Sequence, residues 1–560
     1  MDNKTSVREI LESYDEIIIE QEISEGIYLI NLLDRHFLFI APFEDIPSSI
    51  PIVYLYNDPG LDIPHIMLRD ESFPDINDIP EGKYRWVCLY ENESSVNTII
   101  PYEDKVIDAV DRLIELLSMS VVEKEREYQK EFMFYWNSNS INSQRISVYL
   151  QKDCAFAEMD AYYGKDEIRV VEHGLILSDI DSRNKNERKW VHHIENDLFF
   201  IPIIDNRGII PPHRGYNWSE ADIKDILYSQ QIEHISAETY QCIKTCIPKR
   251  KDVILIFGMK SDLSDVVFAV RVQFRNTVGH TLLEKVLNEI IAVEPIYTNR
   301  KDYIHLCNLI GNDNGLIGKK ALLVGAGSLG SYVAFELIKN GMSHLKIYDG
   351  DNLAEENILR WAYGGIGKGS NKATTLSLLL GHLHPEINVE SESKNIDEKT
   401  LAEESLNADL IIFTVGSSDE QLKFNRMLKV SQCPIPVLYV WLEAGGVYSH
   451  ILVADYKKHG CFECLYTDAK GNLINNRAKK NPDEVSDSVL VRNGCGGTRA
   501  AYGTAIILRT VAALLDILKR IQSNEIAGSV LIDISPDAVC ISDTVFPLEV
   551  CNCCGNKESK

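Results

Sequence analysis

Strand-length apolar runs alternate with helical stretches through the second half of the chain, where ALLVGAGSLG, HLKIYD and LIIFTVG recur at intervals. That alternation predicts a parallel sheet with crossover helices. The long apolar helix GTAIILRTVAALLDIL carries Arg509 and Asp516, so it packs against a core rather than spanning a bilayer. The amino-terminal part reads differently. A short helix precedes the strand-like runs GIYLINLL, RHFLFIAPF and PIVYLYNDP, and prolines 42, 47, 51, 59, 64, 74 and 80 favour edge strands and loops. Ile107, Val110, Leu113, Ile114 and Leu117 then fall at helical spacing. Between these regions, EKEREYQKEF predicts a helix with a solvated face, and DLFFIPII, DVILIFGMK and DVVFAVRVQF predict strands before the helix TLLEKVLNEIIAV. The pattern predicts an α/β multidomain chain: an α+β domain over 1–125, a mixed α/β linker domain over 126–297, and a Rossmann-like domain with a parallel-rich sheet over 298–560.

The chemistry concentrates in the last of these. Gly325, Gly327 and Gly330 would form a strand-to-helix turn whose backbone N–H groups and helix dipole receive phosphate. Glycines alone fit a dinucleotide enzyme equally well. Here Asp349, Asp351, Asn357 and Arg360 follow the next strand, Lys372 lies in GSNKA, and Asp419 lies beyond a third. An acidic residue at the ribose position followed by two cations suits a triphosphate, and Asp419 could hold Mg²⁺ or orient an attacking carboxylate.

This order of motifs resembles the adenylation domain of ubiquitin-activating enzymes and their bacterial sulfur-carrier relatives, the MoeB/ThiF family, over roughly 298–560. The resemblance implies that a protein's C-terminal carboxylate attacks the α-phosphate of ATP, with Arg360 and Lys372 stabilising the charge that builds up. It also places a further phosphate-contacting arginine near Arg300, which a plain surface arginine would match equally well.

Thirteen cysteines are unevenly spread. Cys461 and Cys464, with Cys551 and Cys554, form two CxxC knuckles suited to a closed structural Zn²⁺ site. Cys553 could replace either neighbour in the second pair. Cys495, among glycines in RNGCGGTRAAYG, lies just before a helix that would lower its thiol pKa. By the resemblance it is the nucleophile that takes the acyl group from AMP as a thioester.

At the amino terminus, the succession of helix, meander, proline-rich loops and a Cys-Leu pair at Cys88 resembles a ubiquitin-conjugating domain. That resemblance implies that Cys88 accepts the acyl group by transthiolation and passes it to an amine. IPHI supplies His65, but the family's neighbouring asparagine is missing, and Asn57 and Asn92 are the candidate substitutes. His192, His193, His213, His234 and His280 show no ligand spacing. A conjugating domain ahead of an activating one resembles the bacterial fused enzymes of anti-phage CBASS operons, which implies a cGAS-like nucleotidyltransferase as the protein whose tail is activated, and a homodimer.

The formal charge of −26, from 57 basic and 83 acidic residues, disfavours nucleic acid and anionic membranes as partners. The opening MDNKTSVREILESYDE has no apolar signal core, so a cytoplasmic location is expected. The competing function is a sulfur-carrier adenylyltransferase of the molybdopterin or thiamin type, which would need the glycines, Arg360, Lys372 and the zinc knuckles but not Cys88.

Overall fold

The computed structural model describes residues 6–555 except 43–49, 58–62, 67–78, 91–100, 141–144, 152–154, 165, 174–176, 178–190, 194–196, 214–215, 261–264, 277–278, 312–314, 475, 481–489, 493–497, 543–545 and 547–549. The chain divides into two compact units, one of residues 1–174 with 189–300 and one of residues 301–560 with 175–188.

In the first unit, α1 (Val7–Glu12) starts from a capping box in which Ser6 and Glu9 exchange side-chain and backbone hydrogen bonds. An antiparallel meander follows: β1 (Ile17–Ser24), β2 (Ile27–Leu32), β3 (Arg35–Ile40), β4 (Ile52–Tyr56) and β5 (Tyr84–Val87). Its strands obey the period of two. Phe37, Phe39 and Leu55 bury against α2 (Tyr102–Ser118), while Leu38, Tyr54 and Tyr84 form a smaller cluster on the other face. The stripe that α2 buries runs through Val106, Ala109, Val110, Leu113 and Leu116, so Ile107 from the sequence pattern stays 38% exposed.

The rest of this unit begins with α3 (Val121–Lys130) and α4 (Phe132–Asn139). Then come β6 (Arg145–Tyr149), β7 (Ala157–Tyr163), β8 (Glu167–Glu172), β9 (Val191–His193), β10 (Asp197–Pro202), α5 (Glu220–Leu227) and α6 (Ala237–Thr245). It closes with β11 (Asp252–Lys260), β12 (Asp265–Phe274), α7 (Leu282–Asn288), β13 (Ile290–Ile296) and β14 (Thr298–Arg300). These strands make one mixed sheet ordered β13-β12-β11-β10-β7-β8-β6-β14, with β9 beside β7. Phe132 and Trp136 of α4 pack with Trp218 and Phe268 on one face, and the Trp136 indole donates to Ile296 O at 2.9 Å.

The second unit contains α8 (Tyr303–Leu309), β15 (Lys320–Val324), α9 (Ser328–Lys339), β16 (His344–Tyr348), α10 (Lys372–Gly381), β17 (Asn388–Glu392) and α11 (Glu398–Glu404). It continues through β18 (Leu410–Phe413), α12 (Ser418–Val430), β19 (Val437–Leu442), β20 (Ser449–Ala454), the ribbon β21 (Leu490–Arg492) with β22 (Thr498–Ala500), α13 (Thr504–Gln522), β23 (Val530–Ile534) and β24 (Val539–Ser542). Its main sheet is ordered β17-β16-β15-β18-β19-β20-β23-β24. The first five strands pair in parallel and the last three extend the sheet antiparallel. The sheet is buried on both faces, as continuous apolar strands require: α8, α9, α10 and α13 cover one side, and α11 with α12 covers the other. The order reverses at β15, and the C-terminal ends of β15, β16 and β18 open a crevice there.

Phe413 of β18 is fully buried and stacks on Tyr439 with ring centroids 4.9 Å apart. Phe413→Ala should therefore cost about 3–5 kcal/mol, read as a lower denaturant midpoint of the second unit with the transition of the first unchanged.

Candidate active site

The glycine turn divides its labour. Gly325 has φ +101°, a conformation that side chains rarely adopt. A Cβ on Gly330 would lie 2.0 Å from Gly325 O, so the first turn of α9 sits directly on the loop. Gly327, the N-cap of α9, would meet nothing within 4 Å. Packing thus requires Gly330, whereas the open face at Gly327 suits close approach by a ligand.

The loop after β16 is stitched to this turn. The Asp349 carboxylate accepts N–H bonds from Ala326 at 2.7 Å and Asp351 at 2.8 Å. Burial pushes its pKa up, and the two N–H groups and Lys372 only partly offset that. Lys372, at the start of α10, ion-pairs with Asp351 at 2.8 Å. Ser328 Oγ donates to Arg360 O, and the Trp361 indole donates to Ala326 O. The Arg360 guanidinium lies 5.1 Å from the Tyr502 ring centroid, and its buried Nε has no partner among the described residues.

Gly325, Gly327, Asp349, Asp351, Asn357, Arg360 and Lys372 all line one cavity of about 980 Å³. Gly330 lies behind the wall. Asp419 does not face the cavity: it lines a separate groove between α11 and α12, while Ser417, Ser418 and Glu420 turn toward the cavity instead. Arg300 falls on β14 in the other unit, paired with Asp265 at 3.3 Å, and is not among the lining residues. Glu443, Trp441, Phe462 and Tyr466 complete the β19 end of the cavity and were not singled out by sequence. The signal that finds them is position, since they follow the carboxyl ends of parallel strands or lie against them.

Residues 312–532 match the ThiF family. A Pseudomonas aeruginosa protein named ATP-dependent ubiquitin transferase-like protein Cap2 is 24% identical over 340 residues, covering 59% of this chain and 60% of its own length. Ubiquitin-like modifier-activating enzyme 5 of Dictyostelium discoideum is 22% identical over 33% of this chain and 50% of its own. The chain therefore matches about half to three-fifths of the length of these two relatives. The crystal structure of E. coli MccB with MccA is 19% identical, with a TM-score of 0.34, over 44% of this chain and 69% of that one.

The second unit contains a second centre. The sulfurs of Cys461, Cys464, Cys551 and Cys554 are buried and lie within 4.8 Å of one another. Neighbouring pairs are 3.3–3.9 Å apart. These gaps are far too long for disulfides and close to the roughly 3.8 Å edge of a tetrahedron built on 2.3 Å Zn–S bonds. The Cys553 thiol instead accepts from Asn425 Nδ2 at 3.3 Å, and Cys554 takes the fourth corner. Arg477 fastens the turn by donating to the carbonyls of Cys464 and Thr467.

Beside the cavity, His450 is fully buried beneath Trp441, with Glu443 and Asp533 on its two ring nitrogens. Residues 476, 478 and 479 line the cavity above it. Cys495 lies outside the described residues, as does Asn92.

In the first unit, Cys88 is half-buried directly after β5, and its N–H donates to His65 O at 2.7 Å. His65 has φ +63°, and its ring lies between Glu127 at 3.2 Å and Glu131 at 3.5 Å. Burial lowers the ring's pKa, but the two carboxylates outweigh it and the net shift is upward. Asn57 is occupied in holding the turn before β5, its side chain accepting from Lys83 N.

The two glycines give opposite expectations. Gly330→Ala should cost several kcal/mol of stability, on the order of 3, because backbone blocks the new methyl. Gly327→Ala should cost about 1 kcal/mol or less. Denaturant unfolding of both variants checks the contrast.

Proposed function

We propose that the chain uses ATP to activate the C-terminal carboxylate of another protein, holds the acyl group on Cys495, passes it to Cys88 and transfers it to an amine. The observation that carries this reading is the pairing of Arg360 and Lys372 with the glycine turn in one cavity of a ThiF domain. The name of the Cap2 relative agrees with it.

In this mechanism a carboxylate oxygen attacks the α-phosphorus, the bond to pyrophosphate breaks, and an acyl-adenylate forms. Gly327 lets the phosphates approach the N-terminus of α9, where backbone N–H groups and the helix dipole favour negative charge. Arg360, with a guanidinium nitrogen left unpaired among the described residues, and Lys372, held by Asp351, supply the positive charge. Mg²⁺ would neutralise phosphate charge when bound. The carboxylate that fits it is Asp351, because both Asp349 oxygens accept backbone N–H groups and Asp419 faces another groove.

The Cys495 thiolate then displaces AMP, and Cys88 displaces Cys495 by thioester exchange. An amine attacks the Cys88 thioester, releasing the thiol and giving up a proton. The strained His65, set between two carboxylates beside Cys88, supports a role for that thiol, since backbone strain collects at functional positions. Zn²⁺ would be held by the four cysteines as a closed, structural site. The donor tail is that of a cGAS-like nucleotidyltransferase, and the working form is a homodimer, on the resemblance to the fused anti-phage enzymes. Among the described residues no helix is long and apolar enough to cross a membrane.

Arg360→Ala and Lys372→Ala should each lower ATP–pyrophosphate exchange by about 10²–10³. Exchange at wild-type rates in both would refute the adenylation site. Cys495→Ala should keep exchange but form no thioester, and Cys88→Ala should keep the Cys495 thioester yet make no conjugate, both read by intact mass. Full product from Cys88→Ala would favour the sulfur-carrier alternative. Stripping metal with a strong chelator should destabilise the ThiF domain, because structural zinc contributes folding free energy directly.

A further inference from the structure

A neutral imidazole has one N–H donor and one lone pair. His450 nevertheless has Nε2 2.7 Å from Glu443 Oε1 and Nδ1 2.8 Å from Asp533 Oδ1. With both carboxylates ionised, both contacts can be hydrogen bonds only when the ring carries two protons. Loss of one proton leaves a lone pair pressed against a carboxylate oxygen in a buried site, so one of the two contacts must break.

The same carboxylates hold the segment above the cavity. The Lys480 N–H donates to Glu443 Oε1 at 2.7 Å, and Lys480 Nζ donates to Asp533 Oδ2 at 2.9 Å. Trp441, stacked on His450 with centroids 5.0 Å apart, donates its indole N–H to Ala478 O at 2.8 Å. Three side chains therefore grip residues 478–480, and all three touch His450. The charged groups facing the ring are Glu443 from the end of β19 and Asp533 from β23, with Lys480 behind them and Tyr448 and Cys540 near its ammonium group. With the imidazolium present, the two carboxylates and two cations sum to zero charge. Without it, a net negative charge stays buried.

We propose that His450 is a positioning residue that latches residues 478–480 across the β19 end of the cavity, closed when the ring is protonated and loosened when it is not. The proposal rests on the adenylation reading only in taking this end of the cavity as the place where the substrate's carboxyl tail lies.

The direction with pH follows. Burial lowers the ring's pKa, but Asp533 and Glu443 more than offset this, so the folded-state value lies above 6.5. The contribution of the latch is thus complete below the unfolded value of about 6.5 and is lost as pH rises through the higher folded value.

Amide hydrogen exchange at residues 478–480 in the full chain, corrected for intrinsic rates, tests this without nucleotide. Between about pH 6 and pH 9, wild-type protection should fall about tenfold or more. His450→Gln should be poorly protected and flat with pH. Lys480→Ala, altered at an exposed side chain, should begin less protected and still fall with pH through the Glu443 contact. Protection that stays flat in the wild type, or falls equally in His450→Gln, overturns the latch. If His450→Gln does not fold, exchange of the His450 ring C–H in the wild type must have the same midpoint as the loosening, and a gap above about one pH unit overturns it. Because no ATP is used, failure here leaves the adenylation reading standing, and loss of pyrophosphate exchange leaves the latch standing.

Discussion

The carboxylate of Asp349 makes one rigid body of two loops. One oxygen takes the N–H of Ala326 in the glycine turn, and the other takes the N–H of Asp351 beyond β16. The Asn371 amide reaches back to the carbonyls of 349 and 351, which sets the start of α10 and hence Lys372. Ser328 and Trp361 tie the segment carrying Arg360 to the same turn. The two cations therefore inherit their positions from this set of hydrogen bonds rather than from free side-chain rotation. Removing the Asp349 carboxylate would leave two N–H groups unpaired, at about 1–3 kcal/mol each, and would also let the cations drift.

Residue order along the chain reveals this centre because its parts follow consecutive strands. The glycines end β15, the acidic pair ends β16, and Lys372 opens the next helix, so spacing alone brings them together. The four cysteines are legible for a different reason, since paired CxxC knuckles are a chemical signature that depends little on the fold between them. Asp419 was less tractable. Position places it at the first turn of α12, but which neighbour faces the cavity depends on the phase of that turn, and Ser417, Ser418 and Glu420 take the inner side. The resemblance places a phosphate-contacting arginine near Arg300, but the chain leaves that residue on a strand of the other unit. The Glu443–His450–Lys480–Asp533 group has no sequence signature, because antiparallel pairing of β19, β20 and β23 brings Glu443, His450 and Asp533 together and Lys480 reaches them from a separate segment. In α2 the buried stripe includes alanine, which a search for large apolar residues passes over.

The charge balance adds a constraint on recognition. A chain with a formal charge of −26 repels polyanions over most of its surface, so a triphosphate needs a local reversal of field. Arg360, Lys372 and the N-terminus of α9 supply that reversal within one cavity. Low-dielectric walls of Trp441, Phe462 and Tyr502 strengthen each interaction there relative to open water.

The sulfur cluster joins residues 90 positions apart, and Arg477 hangs the wall of the cavity from the carbonyls of its first turn. The cluster itself is complete only when residue 554 has been made. At about 5–20 residues per second, a ribosome needs roughly 5–20 s to travel from the first knuckle to the second. During that interval the glycine turn and its cations are already made, and the cluster is still half complete. The cluster is therefore completed only after every strand of the main sheet has been made.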